Sequence, residues 1–219
     1  MTLSTEKQFV ILLHGLGRTR HSMRKIDQAL SDAGFKTRNT GYPSTRLPVE
    51  QLSEQYVSDA VAYCHQQQAS KIHFVTHSLG GILVRQYLQS QTLPVGSRIV
   101  MISPPNRGSE IANFLKPFPP YRWILGPAAL QLDTTDGSLP NKMQAIQYEI
   151  GIIAGNKSSD PWFSPFIRGE NDGKVSVENT KLHEMKDFVV VNSGHTLIMR
   201  SPTTIRQILA FLSQAKFIR

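Results

Sequence analysis

Cysteine is all but absent: Cys64 is the sole one in 219 residues. One thiol cannot close an internal disulfide or build a Cys-rich zinc site, so a disulfide scaffold and a zinc ribbon are both excluded. Long apolar runs are missing as well. The longest, Phe9–Leu13 and Phe188–Val191, fall far short of the roughly 20 residues that span a bilayer. Residues 1–8 are polar and lack the basic, apolar and small-residue regions of a secretory signal, so a cytoplasmic location is expected. Acidic residues are scarce, 16 against 24 basic, for a net charge of +8. That balance suits anionic partners: nucleic acid, a phospholipid surface or an acidic substrate. The densest basic stretch is Arg18, Arg20, Arg24 and Lys25, with no acid between Glu6 and Asp27. It reads first as a solvated helix face, and second as an attractor of an anionic substrate or lipid interface. No nucleic-acid module is recognisable, so no nucleic-acid partner is expected. Contact with a membrane surface has only the net charge behind it, and nothing in the sequence addresses oligomeric state.

Repeats, low-complexity tracts and long linkers are also missing; apolar β-rich runs instead alternate with helical periodicity. Strands are predicted at 9–13, 35–42, 72–76, 98–103, 150–154 and 188–191, and helices at 22–33, 49–68, 81–88 and 202–212. Short continuous apolar runs separated by helices imply an α/β fold: a doubly wound, mainly parallel sheet with helices on both faces, in one domain over residues 1–219. One stretch breaks the rhythm. Residues 116–142 hold Pro117, Pro119, Pro120, Pro127 and Pro140 together with Phe118, Tyr121, Trp123, Ile124 and Leu125. That is too proline-rich for a sheet element and too apolar for a solvated loop, so it reads as a small cap or lid insertion over a site, with Phe118, Trp123 and Leu125 as pocket candidates.

The informative segment is Ile72-His73-Phe74-Val75-Thr76-His77-Ser78-Leu79-Gly80-Gly81. An apolar strand runs into a sharp turn and then into an amphipathic helix, which is the context a nucleophile elbow requires. The turn lifts the Ser78 hydroxyl to a helix N-terminus, where unpaired N–H groups favour developing negative charge. Gly80 allows strand and helix to approach; Thr76 stands where the Gly-x-Ser-x-Gly signature has its first glycine. Upstream, Val10-Ile11-Leu12-Leu13-His14-Gly15-Leu16-Gly17 is a strand followed by His-Gly-x-Gly. Such a loop turns a backbone N–H toward a carbonyl oxygen under attack, and the donors expected for an oxyanion hole are the amides of Leu16 and Leu79. His14 reads as a residue that fixes this loop.

Serine needs a general base at neutral pH. Of the histidines, His73 lies within a strand, His77 adjoins Ser78 and points elsewhere on the turn, and His21, His65 and His183 fall in helical stretches. His195 sits in a short loop after the last predicted strand, at the sheet end where open α/β folds bind ligands. An acid must orient its imidazole. Asp172, in Asn171-Asp172-Gly173-Lys174-Val175, leads; Asp160 is second, with Glu170, Asp133 and Asp136 behind.

With these residues in view, the chain resembles an α/β-hydrolase, and within that fold the compact bacterial lipases and lipase-like serine esterases. The residues carrying the resemblance are 12–17, 73–81 and 171–176. The last is similar to the lipase stretch Asn-Asp-Gly-x-Val, which gives Asp172 the role of catalytic acid, and the position of His195 matches the family's catalytic histidine. The resemblance implies a catalytic triad of Ser78, Asp172 and His195 that cleaves carboxylic esters through an acyl-enzyme, with a small-molecule ester or acyl compound as partner and no metal or cofactor. Thioester hydrolysis or acyl transfer on the same triad is the alternative within acyl chemistry. A non-catalytic binding protein on a hydrolase fold is the alternative outside it.

Overall fold

A computed structural model describes residues 7–158 and 163–219. Asp160 lies outside the described residues. The strands are β1 (Gln8–Leu13), β2 (Lys36–Thr40), β3 (Lys71–His77), β4 (Arg98–Ile102), β5 (Glu149–Gly155) and β6 (Asp187–Val191). Among the described residues they form one sheet in the order β2-β1-β3-β4-β5-β6, with every pairing parallel. Between them run α1 (Arg24–Asp32), α2 (Val49–Leu52), α3 (Ser58–Gln66), α4 (Leu79–Tyr87), α5 (Glu110–Leu115), α6 (Pro119–Leu130), α7 (Leu139–Lys142), α8 (Val177–Thr180) and α9 (Pro202–Gln214). A π-turn at Ser53–Val57 joins α2 to α3, so the helix expected over 49–68 is one continuous element with a shifted hydrogen-bond register.

Parallel strands bury both faces, and alternate side chains divide accordingly. Phe9, Ile11 and Leu13 of β1 join Ile72 and Phe74 of β3 in the layer beneath α2, α3 and α4. Val10, Leu12, Val75, Val100 and Ile153 join the layer filled by α1 and α9 through Ile26, Leu30, Ile208 and Phe211. Gly151 is glycine for a packing reason: a Cβ there would sit 2.6 Å from the Phe211 ring. The edge strand β2, Lys-Thr-Arg-Asn-Thr, is polar, as an edge should be.

β1 is flanked by β2 on one side and β3 on the other, so the chain winds in opposite directions from it. The loops leaving β1 and β3 at their C-terminal ends therefore diverge, opening the crevice where ligands bind in such sheets. Residues 116–142, read from the sequence as a small cap or lid insertion, contain α6, whose first turn accepts Pro119 and Pro120 at its first two positions. A break at Gly126 (φ 74°) precedes Pro127. The Ser109 amide donates to the Leu132 carbonyl at 2.8 Å, closing the base of the loop that carries α5 and α6.

Candidate active site

The turn after β3 holds Ser78 at φ 52°, ψ −119°, a region that non-glycine residues rarely occupy. Backbone bonds impose it: the Ser78 amide donates to the Ile102 carbonyl at 2.9 Å, and Gly81 N–H donates to the Ser78 carbonyl at 3.0 Å. Small residues on every side let the turn close. A Cβ on Gly80 would stand 2.7 Å from the Leu13 carbonyl oxygen, and one on Gly15 would stand 2.7 Å from His77 Nδ1 and 3.2 Å from Ser78 Cβ. Thr76 fits in place of glycine because Gly81 leaves room for its hydroxyl, which lies 3.4 Å from where a Cβ of residue 81 would be.

The loop after β1 is pinned by an interlock around His14. Its Nδ1–H donates to the Gly15 carbonyl at 2.9 Å, its ring stacks on Tyr42 at 4.1 Å, and the Tyr42 hydroxyl donates to the His14 carbonyl. Burial lowers the His14 pKa, so the ring is a neutral structural member. Gly17 takes φ 64° and donates to Ser44 Oγ at 3.0 Å. Leu79 is the first residue of α4, so its N–H has no acceptor within the helix. Among the described residues no other acceptor engages the Leu79 or Leu16 amide.

Asp172 and His195 are joined twice. The His195 amide donates to the Asp172 carbonyl at 2.9 Å, and His195 Nδ1 donates to Asp172 Oδ2 at 2.7 Å. The other carboxylate oxygen accepts from the amides of Lys174 (3.0 Å) and Val175 (2.9 Å). Gly173, at φ 94°, turns the chain so that these amides point back. Asp172 is fully buried. Burial pulls its carboxyl upward, but the His195 charge and hydrogen bond, with the Val175 amide, outweigh it and hold the pKa below the ordinary value. A carboxylate on Nδ1 leaves Nε2 as the atom of His195 able to take a proton.

Ser78, His195 and Leu16 line one cavity of about 230 Å³, together with Ile111, Ala112 and Leu115 from α5 and Leu125 from α6. Two of the three pocket candidates are corrected. Phe118 and Trp123 are 51% and 87% exposed and are not part of this wall. The helical turn carries Leu125 inward and Trp123 outward, a distinction that the proline-rich, apolar composition of the stretch does not reveal. Asp133, one of the competing acids, pairs instead with Lys116 at 2.5 Å. His183 lies in an exposed turn rather than a helix.

His77 turns toward the site rather than away from it. Its Nε2–H donates to the His195 carbonyl at 3.1 Å, and the two rings lie 4.7 Å apart. Burial first, and then the neighbouring His195, push its pKa well below the usual histidine value, so it is neutral. Its Nδ1 is buried with no hydrogen-bond partner among the described residues. No local signal in the sequence marks this role, since the bond spans 118 residues. Among the described residues no group of three or more His, Cys, Asp or Glu side chains is arranged to hold a metal ion, and no helix is long and apolar enough to cross a membrane.

The architecture is shared with known proteins. Mature Bacillus licheniformis lipase BlEst2 superposes with a TM-score of 0.74 at 17% identity, over 98% of this chain and 94% of the lipase. Phospholipase PlaB of Legionella pneumophila gives 0.65 at 16% identity, over 95% of this chain and 59% of that one. A thermophilic esterase from Thermogutta terrifontis gives 0.56 at 13%, over 95% and 90%. At such identities the likeness is one of fold. No curated protein matches the sequence. The profile of the Alpha/beta hydrolase family matches residues 10–207. The chain therefore belongs to the alpha/beta hydrolase family.

Proposed function

We propose that the chain is a serine hydrolase of carboxylic esters, working through Ser78, His195 and Asp172. The observation that carries this reading is the 2.7 Å bond from His195 Nδ1 to the buried Asp172 carboxylate, with His195 and Ser78 on the wall of one apolar cavity. His195 Nε2 takes the Ser78 proton as Oγ attacks the ester carbonyl, and the amides of Leu16 and Leu79 receive the tetrahedral oxyanion. His195 passes its proton to the leaving alcohol, giving an acyl-enzyme. Water, deprotonated by the same imidazole, then releases the acid and restores the serine. Asp172 keeps the tautomer and stabilises the imidazolium. Each turnover consumes one water per ester and needs no other co-reactant. The apolar wall of Ile111, Ala112, Leu115 and Leu125 accommodates the acyl chain, and α5 and α6 cap it.

Turnover of p-nitrophenyl butyrate by the wild-type chain and by Ser78→Ala tests the reading. The wild type hydrolyses the ester and the variant does not; equal rates for the two would refute it.

A further inference from the structure

The wall of the Ser78 cavity is electrically one-sided. Arg18 and Lys174 both contribute to it, and among the described residues no Asp or Glu does. The nearest acid in the machinery, Asp172, is fully buried and committed to His195. Arg18 is exposed, pairs with no carboxylate among the described residues, and is held in place by both ends. Its amide donates to the Gly15 carbonyl at 3.2 Å, and its Nη2 donates to Thr196 Oγ1 at 3.1 Å. Lys174 stands half-buried with its ammonium 4.5 Å from the Phe163 ring centroid, and its own amide is on Asp172.

Position gives the charge a meaning. In ester cleavage the alcohol leaves on the side of the histidine that protonates it. Thr196 follows His195 directly, and Arg18 is bonded to Thr196. The guanidinium therefore stands beside the path of the alcohol, while the apolar wall from α5 and α6 lies toward the acyl chain. A guanidinium offers five N–H donors in a planar fork suited to phosphate or carboxylate.

We propose, on the basis of the hydrolase reading above, that Arg18 forms a subsite for an anionic group on the alcohol portion of the substrate. The substrate class is then a soluble ester of an apolar acyl chain with an alcohol bearing phosphate or carboxylate.

The test compares kcat/KM of the full chain on four short, soluble esters sharing a butyryl group, whose alcohols are glycerol, glycerol 3-phosphate, glycerate and choline. In the wild type the two anionic esters exceed the glycerol ester by about 5- to 10-fold, as a charge-assisted contact at a partly exposed site allows, and the choline ester falls below it. The ratio of anionic to neutral ester drops toward one in Arg18→Gln, is largely kept in Arg18→Lys, and shrinks in about 0.5 M salt. Equal kcat/KM across the four esters overturns the proposal, as does a ratio untouched by Arg18→Gln. A gain that appears only on vesicles containing anionic lipid, and not with soluble esters, also overturns it, because the charge then serves surface docking. If a variant fails to fold, the wild-type ratios and their salt dependence still decide. Hydrolysis of the neutral ester through Ser78 without charge preference defeats this inference alone. No hydrolysis of any ester, with no labelling of Ser78 by a fluorophosphonate, defeats the hydrolase reading beneath it.

Discussion

Ser78, Asp172 and His195 are scattered along the chain, yet two of them share bonds through both backbone and side chain, and the third faces the same cavity. Replacing Asp172 by Asn leaves an oxygen for the Lys174 and Val175 amides but removes the charge that orients His195. Steady-state kinetics on a p-nitrophenyl ester should show kcat lower by about ten-thousand-fold, the size of effect seen when a triad aspartate loses its charge. His77 acts one step further out, through the carbonyl of His195. His77→Phe removes that donor, and kcat is expected to fall about 10- to 100-fold with little change in KM, the signature of a misplaced base. His77→Gln keeps an N–H near the position of Nε2 and should restore most of the rate. Ser78 and its helix are legible in sequence because the elbow is local: strand, turn and glycines are consecutive. His195 was reachable by elimination. His77 was not, because its partner lies across the fold, and a residue beside a nucleophile gives no hint of which way its ring points.

Strands β1, β3, β4 and β5 are short apolar runs bounded by turn residues, the pattern of parallel strands buried on both faces. Other features of the elements leave no mark on apolar spacing. The π-turn at Ser53–Val57 is a change of hydrogen-bond register within an unbroken helical stripe. α6 was concealed by its prolines, which sit where a helix tolerates them, in its first turn and just after the break at Gly126. That break is demanding. Gly126 has φ 74°, and a Cβ there would stand 1.8 Å from the Thr45 carbonyl oxygen. Gly126→Ala should therefore lower thermal stability by at least about 1–3 kcal/mol, the cost of a backbone conformation essentially reserved for glycine, and loosen α6 against the loop at Thr45. Differential scanning calorimetry reads the first effect. The two faces of α6 predict different kinetics: Leu125→Ala should lower kcat/KM for medium-chain esters about 3- to 10-fold, whereas Trp123→Ala, altering an 87%-exposed ring, should leave soluble-ester kinetics unchanged.

Across the whole molecule, three buried groups near the site act in one direction on stability. His77 and His14 have pKa values lowered by burial, and Asp172 has one lowered by its partners. As pH falls below the unfolded histidine value of 6.5, the unfolded chain binds protons that the folded chain refuses. The carboxylate adds its share lower down, being stabilising above its unfolded value and losing this as pH falls through its folded one. Stability should therefore be level from neutral pH down to about 6.5 and then decline steadily into acid. His77→Gln should flatten the upper part of that decline. Melting temperatures between pH 4 and 8 would show it, and a stability that rises on acidification would contradict it.

On the proposed reading, one hydroxyl, Ser78 Oγ, is made nucleophilic by His195 and Asp172. Labelling with a fluorophosphonate, followed by mass spectrometry of the tryptic peptides, tests it most directly. One phosphonyl adduct is expected, on the peptide containing Ser78, lost in Ser78→Ala and strongly slowed in His195→Ala. A folded wild-type chain that takes no label, or takes it on another serine, would contradict it.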